Sequence, residues 1–315
     1  MKKKIFLHIG THKTGTTSLQ KFLYDHKNEL KLMSFYFPKI GIHQYSQHKL
    51  AFSLQDKHPL KNQLKLWEEL VDKIKKTECD NIIISSEEFS NIDNIDNIIY
   101  LKEVLKEFDI KIIVYLRRQS DLVESIYNQQ TKDWKSPRKE PIEFFINNDK
   151  LNLLCKYLDY FTFLDKWSSV FGIKNIIIRA YKKNVIKDFL NIIDCNIKVE
   201  NKVFFNINKS TSAKALETIR LYKHLNESIE VGKFIYEVAN TVFPAEKFTT
   251  SLLTKEEKIL IDQKFIHSNK KLFEIFSLEE EFFNLEYKCV KKEKLDRLDI
   301  MKLLVYIIKN VKSIK

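Results

Sequence analysis

The stretch from Lys4 to Thr17 constrains this chain more than any other. KIFLHI, residues 4–9, is a short apolar run of the kind a buried strand uses. It stops at Gly10-Thr11-His12-Lys13-Thr14-Gly15-Thr16-Thr17. Beyond it Leu19, Phe22, Leu23, His26, Leu30 and Met33 recur at helical spacing. The order is strand, glycine loop, helix. Glycine is scarce, with five in 315 residues, against an average of about 7%. Two of the five within six residues mark a place where the backbone turns tightly or approaches a ligand closely.

The same alternation continues. Residues 81–85 (NIIIS), 110–116 (IKIIVYL) and 175–179 (NIIIR) are short, continuous β-branched runs, the pattern of parallel strands covered on both faces. Between them residues 60–76, 95–108, 122–131 and 153–171 have helical spacing. Strands alternating with helices predict a parallel sheet with right-handed crossovers. After about residue 183 the strand signals fade, and 184–193, 212–225 and 255–276 read as helices. No repeat, low-complexity tract or Pro/Gly-rich linker interrupts the chain. The expectation is one domain over 1–315, an α/β core at 1–183 with a mainly helical part at 184–315. Residues 36–59, rich in His, Gln and Ser, read as a long loop or lid, and loops of that length are usually functional.

Charge narrows the ligand. The formal net charge is +12, a field that favours nucleotides, sulfated or phosphorylated glycans, nucleic acid or acidic lipid. With 44% hydrophobic and 30% charged residues, the chain is neither a disordered tail nor a membrane bundle. The apolar stretch after Lys2, Lys3 and Lys4 ends at Gly10, too soon for a secretion signal. Cys79, Cys155, Cys195 and Cys289 lie far apart. That argues against a disulfide framework or zinc site and fits a reducing cytoplasm.

A glycine loop that opens a helix is an anion site, because free N–H groups and the positive end of the helix dipole converge there. Thr16 and Thr17 add hydroxyls, and Lys13 reaches from inside the loop. The triphosphate-binding loop GxxxxGK[ST] has the same glycine spacing but carries its lysine after the second glycine. Thr16 stands there instead. That displacement points to a shorter 5′ anionic group without a metal, and it argues against the kinase or NTPase alternative. A second element lies at the end of 110–116, in Arg117-Arg118-Gln119-Ser120-Asp121-Leu122-Val123-Glu124-Ser125. An arginine at a strand's C-terminal edge and a serine eight residues on can grip one phosphate, the first as a charged fork and the second as a hydroxyl.

Together HIGTHKTGTT-SLQ and YLRRQSDLVES resemble the sulfotransferases that use 3′-phosphoadenosine-5′-phosphosulfate (PAPS), and bacterial members in particular. The resemblance is carried by the first ~130 residues, where both motifs stand in strand-loop-helix context. RAYKKN and Asn208-Lys209-Ser210 resemble later segments of the family less specifically. The resemblance implies a P-loop-like three-layer α/β fold with a central parallel sheet and a helical C-terminal part. It implies PAPS as co-substrate and no metal. The loop residues His12, Lys13, Thr14, Gly15, Thr16 and Thr17 would hold the 5′-phosphosulfate, and Arg117 with Ser125 the 3′-phosphate. The glycine-rich RKG segment of some cytosolic members has no match here.

Sulfuryl transfer builds negative charge on the oxygen leaving toward the 5′-phosphate, and Lys13 is placed to offset it. The acceptor hydroxyl must lose a proton to a base within hydrogen-bond reach. Glu87, in SSEEF at the end of the second predicted strand, is the first candidate. Glu88, His48 and His12 are its rivals. The expected acceptor is a glycan or lipid-linked sugar. A non-enzymatic nucleic-acid or membrane module is disfavoured because the lysines are scattered rather than interleaved with aromatics. The exception is 288–315, with nine Lys/Arg against three Asp/Glu. There Leu295, Leu298, Met301, Val305, Ile308 and Val311 recur at helical spacing. The plainer reading is a last helix with its apolar face docked on the core. The other is a basic amphipathic helix making peripheral contact with the inner membrane face.

Overall fold

The computed structural model describes residues 2–55, 63–136, 139–147, 157–182, 184–197, 211–225, 227–283, 287 and 292–311. Up to Leu116 the elements are β1 (Lys4–His8), α1 (Thr16–Asp25), α2 (Lys27–Leu32), β2 (Phe35–Tyr36), α3 (His48–Phe52), α4 (Gln63–Lys76), β3 (Asn81–Ser85), α5 (Ile95–Val104) and β4 (Asp109–Leu116). A 3₁₀ turn, Glu87–Asn91, follows β3. Then come α6 (Gln119–Lys132), α7 (Ile142–Asn147), α8 (Tyr160–Phe171), β5 (Ile176–Ala180) and α9 (Val185–Ile192). The remaining helices are α10 (Ala213–Lys223), α11 (Ile229–Val242), α12 (Lys255–Lys264), α13 (Ile266–Ile275) and α14 (Arg297–Val311). The chain divides into two compact units. The first comprises Met1–Arg117, Asp159–Ile207 and Ser268–Phe283, and the second Arg118–Leu158, Asn208–His267 and Asn284–Lys315.

The first unit holds a five-stranded sheet in the order β2-β3-β1-β4-β5, every neighbouring pair parallel. Lys4 of β1 pairs with Asn81 on one side and Asp109 on the other. Side chains alternate along each strand. Phe6, Ile83, Ile113 and Tyr115 pack with Leu19, Phe22 and Leu23 of α1 and with Val185, Ile186 and Phe189 of α9. Ile5, Leu7, Ile82, Ile84, Ile112 and Val114 are the alternating set, and all six are fully buried. Both faces are therefore covered, which makes this a three-layer, P-loop-like α/β fold. It also explains why the strands read as unbroken apolar runs. From β1 the chain moves toward β2 and β3, while β4 leads the other way to β5. The order reverses between β1 and β4, and ligands of such sheets bind outside the strand ends at that point.

The second unit is helical among its described residues. Ser212, Ser228 and Thr254 cap α10, α11 and α12 through side-chain oxygens, and Thr254 forms a capping box with Glu257. Ala215, Ala239 and Phe243 form its small core, with Leu295 and Leu303 packed against it.

The four predicted strands are present within a residue at each end. The two-residue β2 and helix α11 had no sequence counterpart. The helix expected over 255–276 breaks at Phe265 into α12 and α13. Of the loop or lid expected over 36–59, residues 56–59 lie outside the described residues, and α3 lies within the rest, with Leu50 and Ala51 fully buried. Gln47 closes the end of β3, its amide donating to the Ser85 carbonyl (3.1 Å) and its Oε1 accepting from the Ser85 amide (2.9 Å). Cys79 and Cys195 are buried free thiols. Cys155, Cys289, residues 60–62, 153–156 and Asn208-Lys209-Ser210 lie outside the described residues. Among the described residues no helix is long and apolar enough to cross a membrane.

Candidate active site

The glycine loop leaves the sheet at the reversal point. Ladder pairing with β4 persists past β1: Ile9 and Thr11 amides donate to Ile113 and Tyr115 carbonyls, both at 3.0 Å, and the Tyr115 amide donates to Gly10 (2.7 Å). Thr11 also donates its hydroxyl to Tyr115 (3.1 Å), and Thr14 donates to the Thr11 carbonyl (2.5 Å). The hydroxyls of Thr11 and Thr14 thus brace the loop from within. Gly15 is the N-cap of α1 at φ 77°, and its carbonyl accepts from Ser18 and Leu19. The amides of Thr16 and Thr17, ahead of those that bond Gly15, have no intrahelical acceptor, so they and the dipole end form an anion cradle. Thr16 is buried and Thr17 exposed at its rim.

Both glycines are required by what surrounds them. At Gly10 a Cβ would lie 2.9 Å from Glu87 Cα and Cβ, and at Gly15 it would lie 3.0 Å from Val185 Cγ1 and 3.1 Å from Tyr181 Cε2. Lys13, between them, has φ 63°, a left-handed conformation that is uncommon for a residue with a side chain and that tends to occur at functional sites. The Arg117 guanidinium donates to the Lys13 carbonyl (3.3 Å) and lies over the Tyr181 ring (5.5 Å). Tyr160 fixes the Arg117 carbonyl with a 2.6 Å hydrogen bond. The structure therefore joins Lys13, Gly15 and Arg117, and adds Tyr181, which sequence reasoning had included only as part of RAYKKN.

The 3₁₀ turn after β3 forms the facing wall. Gln20 of α1 donates Nε2 to Glu87 Oε2 (2.5 Å). Burial opposes ionisation of Glu87. The hydrogen bonds from Gln20 and backbone, with the fields of His48 and His12, outweigh it and hold the carboxyl below its ordinary value. Ser86 caps the turn by accepting from the Glu88 amide (3.2 Å), and its Oγ lies 2.8 Å from His48 Nδ1. Burial lowers the His48 pKa, against the opposing pull of Glu87 and Glu88. Asn91 bonds Glu88 Oε2 (2.8 Å) and approaches His12 Nε2 (3.1 Å). All four candidate bases thus belong to one wall: Glu87, Glu88 and His48 around the turn, and His12 from the loop. Gln20 and Asn91 were not anticipated. Gln20 sits on the buried side of α1, where the sequence pattern shows only helical spacing.

Ser125 lies half-buried in α6, in the second unit. Arg118, its neighbour in the motif, pairs with Asp121 (3.0 Å) and lies over the Tyr287 ring. Among the described residues no cluster of His, Cys, Asp and Glu is arranged to hold a metal ion.

No family model matches the chain. It is 31% identical over 213 residues to an uncharacterized protein of Archaeoglobus fulgidus. That match covers 64% of this chain and 55% of the relative, so the chain spans little more than half the relative's length. Among solved structures the chain is similar to a sulfotransferase from Alicyclobacillus acidocaldarius. The likeness has 13% identity and a TM-score of 0.41, over 72% of this chain and 98% of that one.

Proposed function

We propose that the protein is a sulfotransferase that moves a sulfuryl group from PAPS to an acceptor hydroxyl, on a glycan or lipid-linked sugar, and releases 3′,5′-ADP. The observation that carries this reading is the loop at the sheet's reversal point. It is an anion cradle with its lysine inside, between the two glycines, and a wall of proton acceptors facing it. A triphosphate-cleaving loop would carry the lysine at the position of Thr16. In this reading the α1 amides hold the 5′-phosphosulfate, and Lys13 offsets charge on the departing oxygen. Glu87, kept ionised by Gln20, accepts the acceptor's proton. Arg117 and Ser125, eight apart in sequence, are assigned the 3′-phosphate by the family resemblance.

The test is incubation with sulfur-labelled PAPS and a panel of glycan, lipid-linked sugar and small alcohol acceptors, in the presence and absence of a chelator. Label should pass to an acceptor with chelator present. Calorimetry should show 3′,5′-ADP binding far better than 5′-ADP or 5′-AMP, a preference that Arg117→Ala removes. A charge-assisted contact of this kind is worth about 1.5–3 kcal/mol. Equal affinity for the three nucleotides, or an absolute need for Mg²⁺, would rule the reading out.

A further inference from the structure

The apolar stripe of α14 is not docked on the core, as the plainer sequence reading had it. Its exposed members are Leu298 (63%), Met301 (55%), Val305 (43%) and Ile308 (63%), joined by Ile300 and Leu304. At 100° per residue these six side chains fill one continuous arc of the helix. The opposite side makes the attachment. Asp299 is buried and accepts from Lys214 Nζ (2.6 Å), while Leu295, just before the helix, and Leu303 pack against the core that includes Phe243. The helix is therefore held by a buried ion pair and a few apolar contacts on one side, and it presents large hydrophobic side chains on the other. Contiguous exposed apolar surface of this kind marks an interaction site.

Charge selects the occupant. Lys302 and Lys309 follow Leu298 and Val305 by four positions and border the arc on one edge, Lys302 while also pairing with Asp299 (3.3 Å), and Arg297 stands at its start. Residues 288–315 carry nine Lys/Arg against three Asp/Glu, half the net charge of the chain. A symmetric contact with a second copy would set these basic segments against each other with little acid to offset them. An anionic lipid surface offers an apolar layer for the arc and negative headgroups for its lysine border. We propose that α14 is the surface through which this protein binds anionic membranes, lying in the interface with Leu298, Met301, Val305 and Ile308 inserted. The assignment does not depend on the reaction at the glycine loop.

The experiment is co-sedimentation of the full chain with phosphatidylcholine vesicles, with and without phosphatidylglycerol, at low and high ionic strength. Binding to the anionic vesicles should exceed binding to neutral ones by about tenfold or more, and salt should weaken it. Met301→Glu with Ile308→Glu, both exposed, should abolish binding with unchanged circular dichroism and melting. The milder pair Met301→Ser with Ile308→Ser serves if the glutamates disturb folding. Lys309→Glu alone should weaken the anionic preference. Failure of the unmodified chain to bind anionic vesicles at low salt overturns the proposal, as does equal binding to neutral vesicles. A concentration-dependent dimer by analytical ultracentrifugation, lost in the same variants without any vesicle binding, makes the face a self-interface and overturns it too.

Discussion

Glu87 and His48 flank the same loop in opposite electrostatic circumstances. One carboxylate is ionised in spite of burial, and one imidazole is kept neutral because of it. Both can accept a proton at neutral pH, so the discrimination lies in the acid limb of the rate profile. If Glu87 is the base, kcat/KM holds as pH falls past the ordinary histidine value and declines only below about 4.3, the free glutamate value. Glu87→Gln then lowers turnover by roughly 10²- to 10⁴-fold and leaves 3′,5′-ADP binding intact. An active Glu87→Gln beside an inactive His48→Ala, with the decline starting well above the carboxylate range, transfers the role to His48. Lys13→Ala should reduce kcat by about 10²-fold or more, with a smaller loss of product-nucleotide affinity by calorimetry. Near-normal turnover would remove Lys13 from the transition state. The residues that meet at this site were legible in the sequence where they sit at strand ends or in the glycine loop, since spacing alone carries Gly10, Lys13, Glu87 and Arg117 to one edge. Gln20 was not legible. Its bond to Glu87 spans 67 positions, and nothing in a helical repeat announces a long-range polar partner.

At the scale of elements, the β1–loop–α1 unit works because two backbone positions are bare. Gly15→Ala meets both a left-handed backbone and the side chains of Val185 and Tyr181. Gly172, at φ 87°, has only Asn175 Nδ2 near a new Cβ, at 4.0 Å. Both alanine variants carry positive-φ strain, and Gly172, with ψ 138° against 15° at Gly15, carries the more of it; the packing clash belongs to Gly15 alone. Gly15→Ala should therefore lose nucleotide binding by tenfold or more, while Gly172→Ala, whatever its fall in melting temperature, binds normally. Equal loss of binding in both variants would mean that the contacts with Val185 and Tyr181 do not shape the loop. The central strands were legible because burial on both faces leaves unbroken isoleucine runs, as in NIIIS. The edge strand Phe35–Tyr36 is too short to carry any period. The break at Phe265 has no Gly or Pro to mark it. Residues 36–55 read as an open loop because their polar members, Gln47 above all, are used inside the fold to satisfy backbone at the end of β3. The apolar stripe of α14 was legible, but which side it faces was not, since docked and exposed amphipathic helices share one pattern.

For the molecule as a whole, acid stability should depend on the last residue of β1. His8 is fully buried between the rings of Tyr115 and Phe189, each 5.8 Å away. Its Nδ1 lies 2.8 Å from Ser85 Oγ, and its buried Nε2 has no hydrogen-bond partner among the described residues. Burial lowers its pKa to about 4, against a weaker opposing pull from Glu87. Unfolded, the same imidazole titrates near 6.5. Above that value it is neutral in both states and contributes no pH dependence. Between about 6.5 and 4 the unfolded chain binds a proton that the folded chain refuses, so stability falls as pH falls. The loss from this group is about 2 kcal/mol between pH 7 and pH 5, and about 3 kcal/mol by pH 4. His48, also lowered, adds to the slope in the same window. Glu87 and Asp188, held below their ordinary values, lose their contribution only at lower pH, as a second phase. Amide exchange on β1 and β4, which reports the opening of the first unit, should accelerate on this schedule after correction for intrinsic rates. His8→Phe should flatten the step between pH 7 and pH 5 by about 2 kcal/mol, leaving the share of His48. A wild-type profile already flat across that range, or an unchanged slope in His8→Phe, would show that His8 takes up its proton inside the folded sheet.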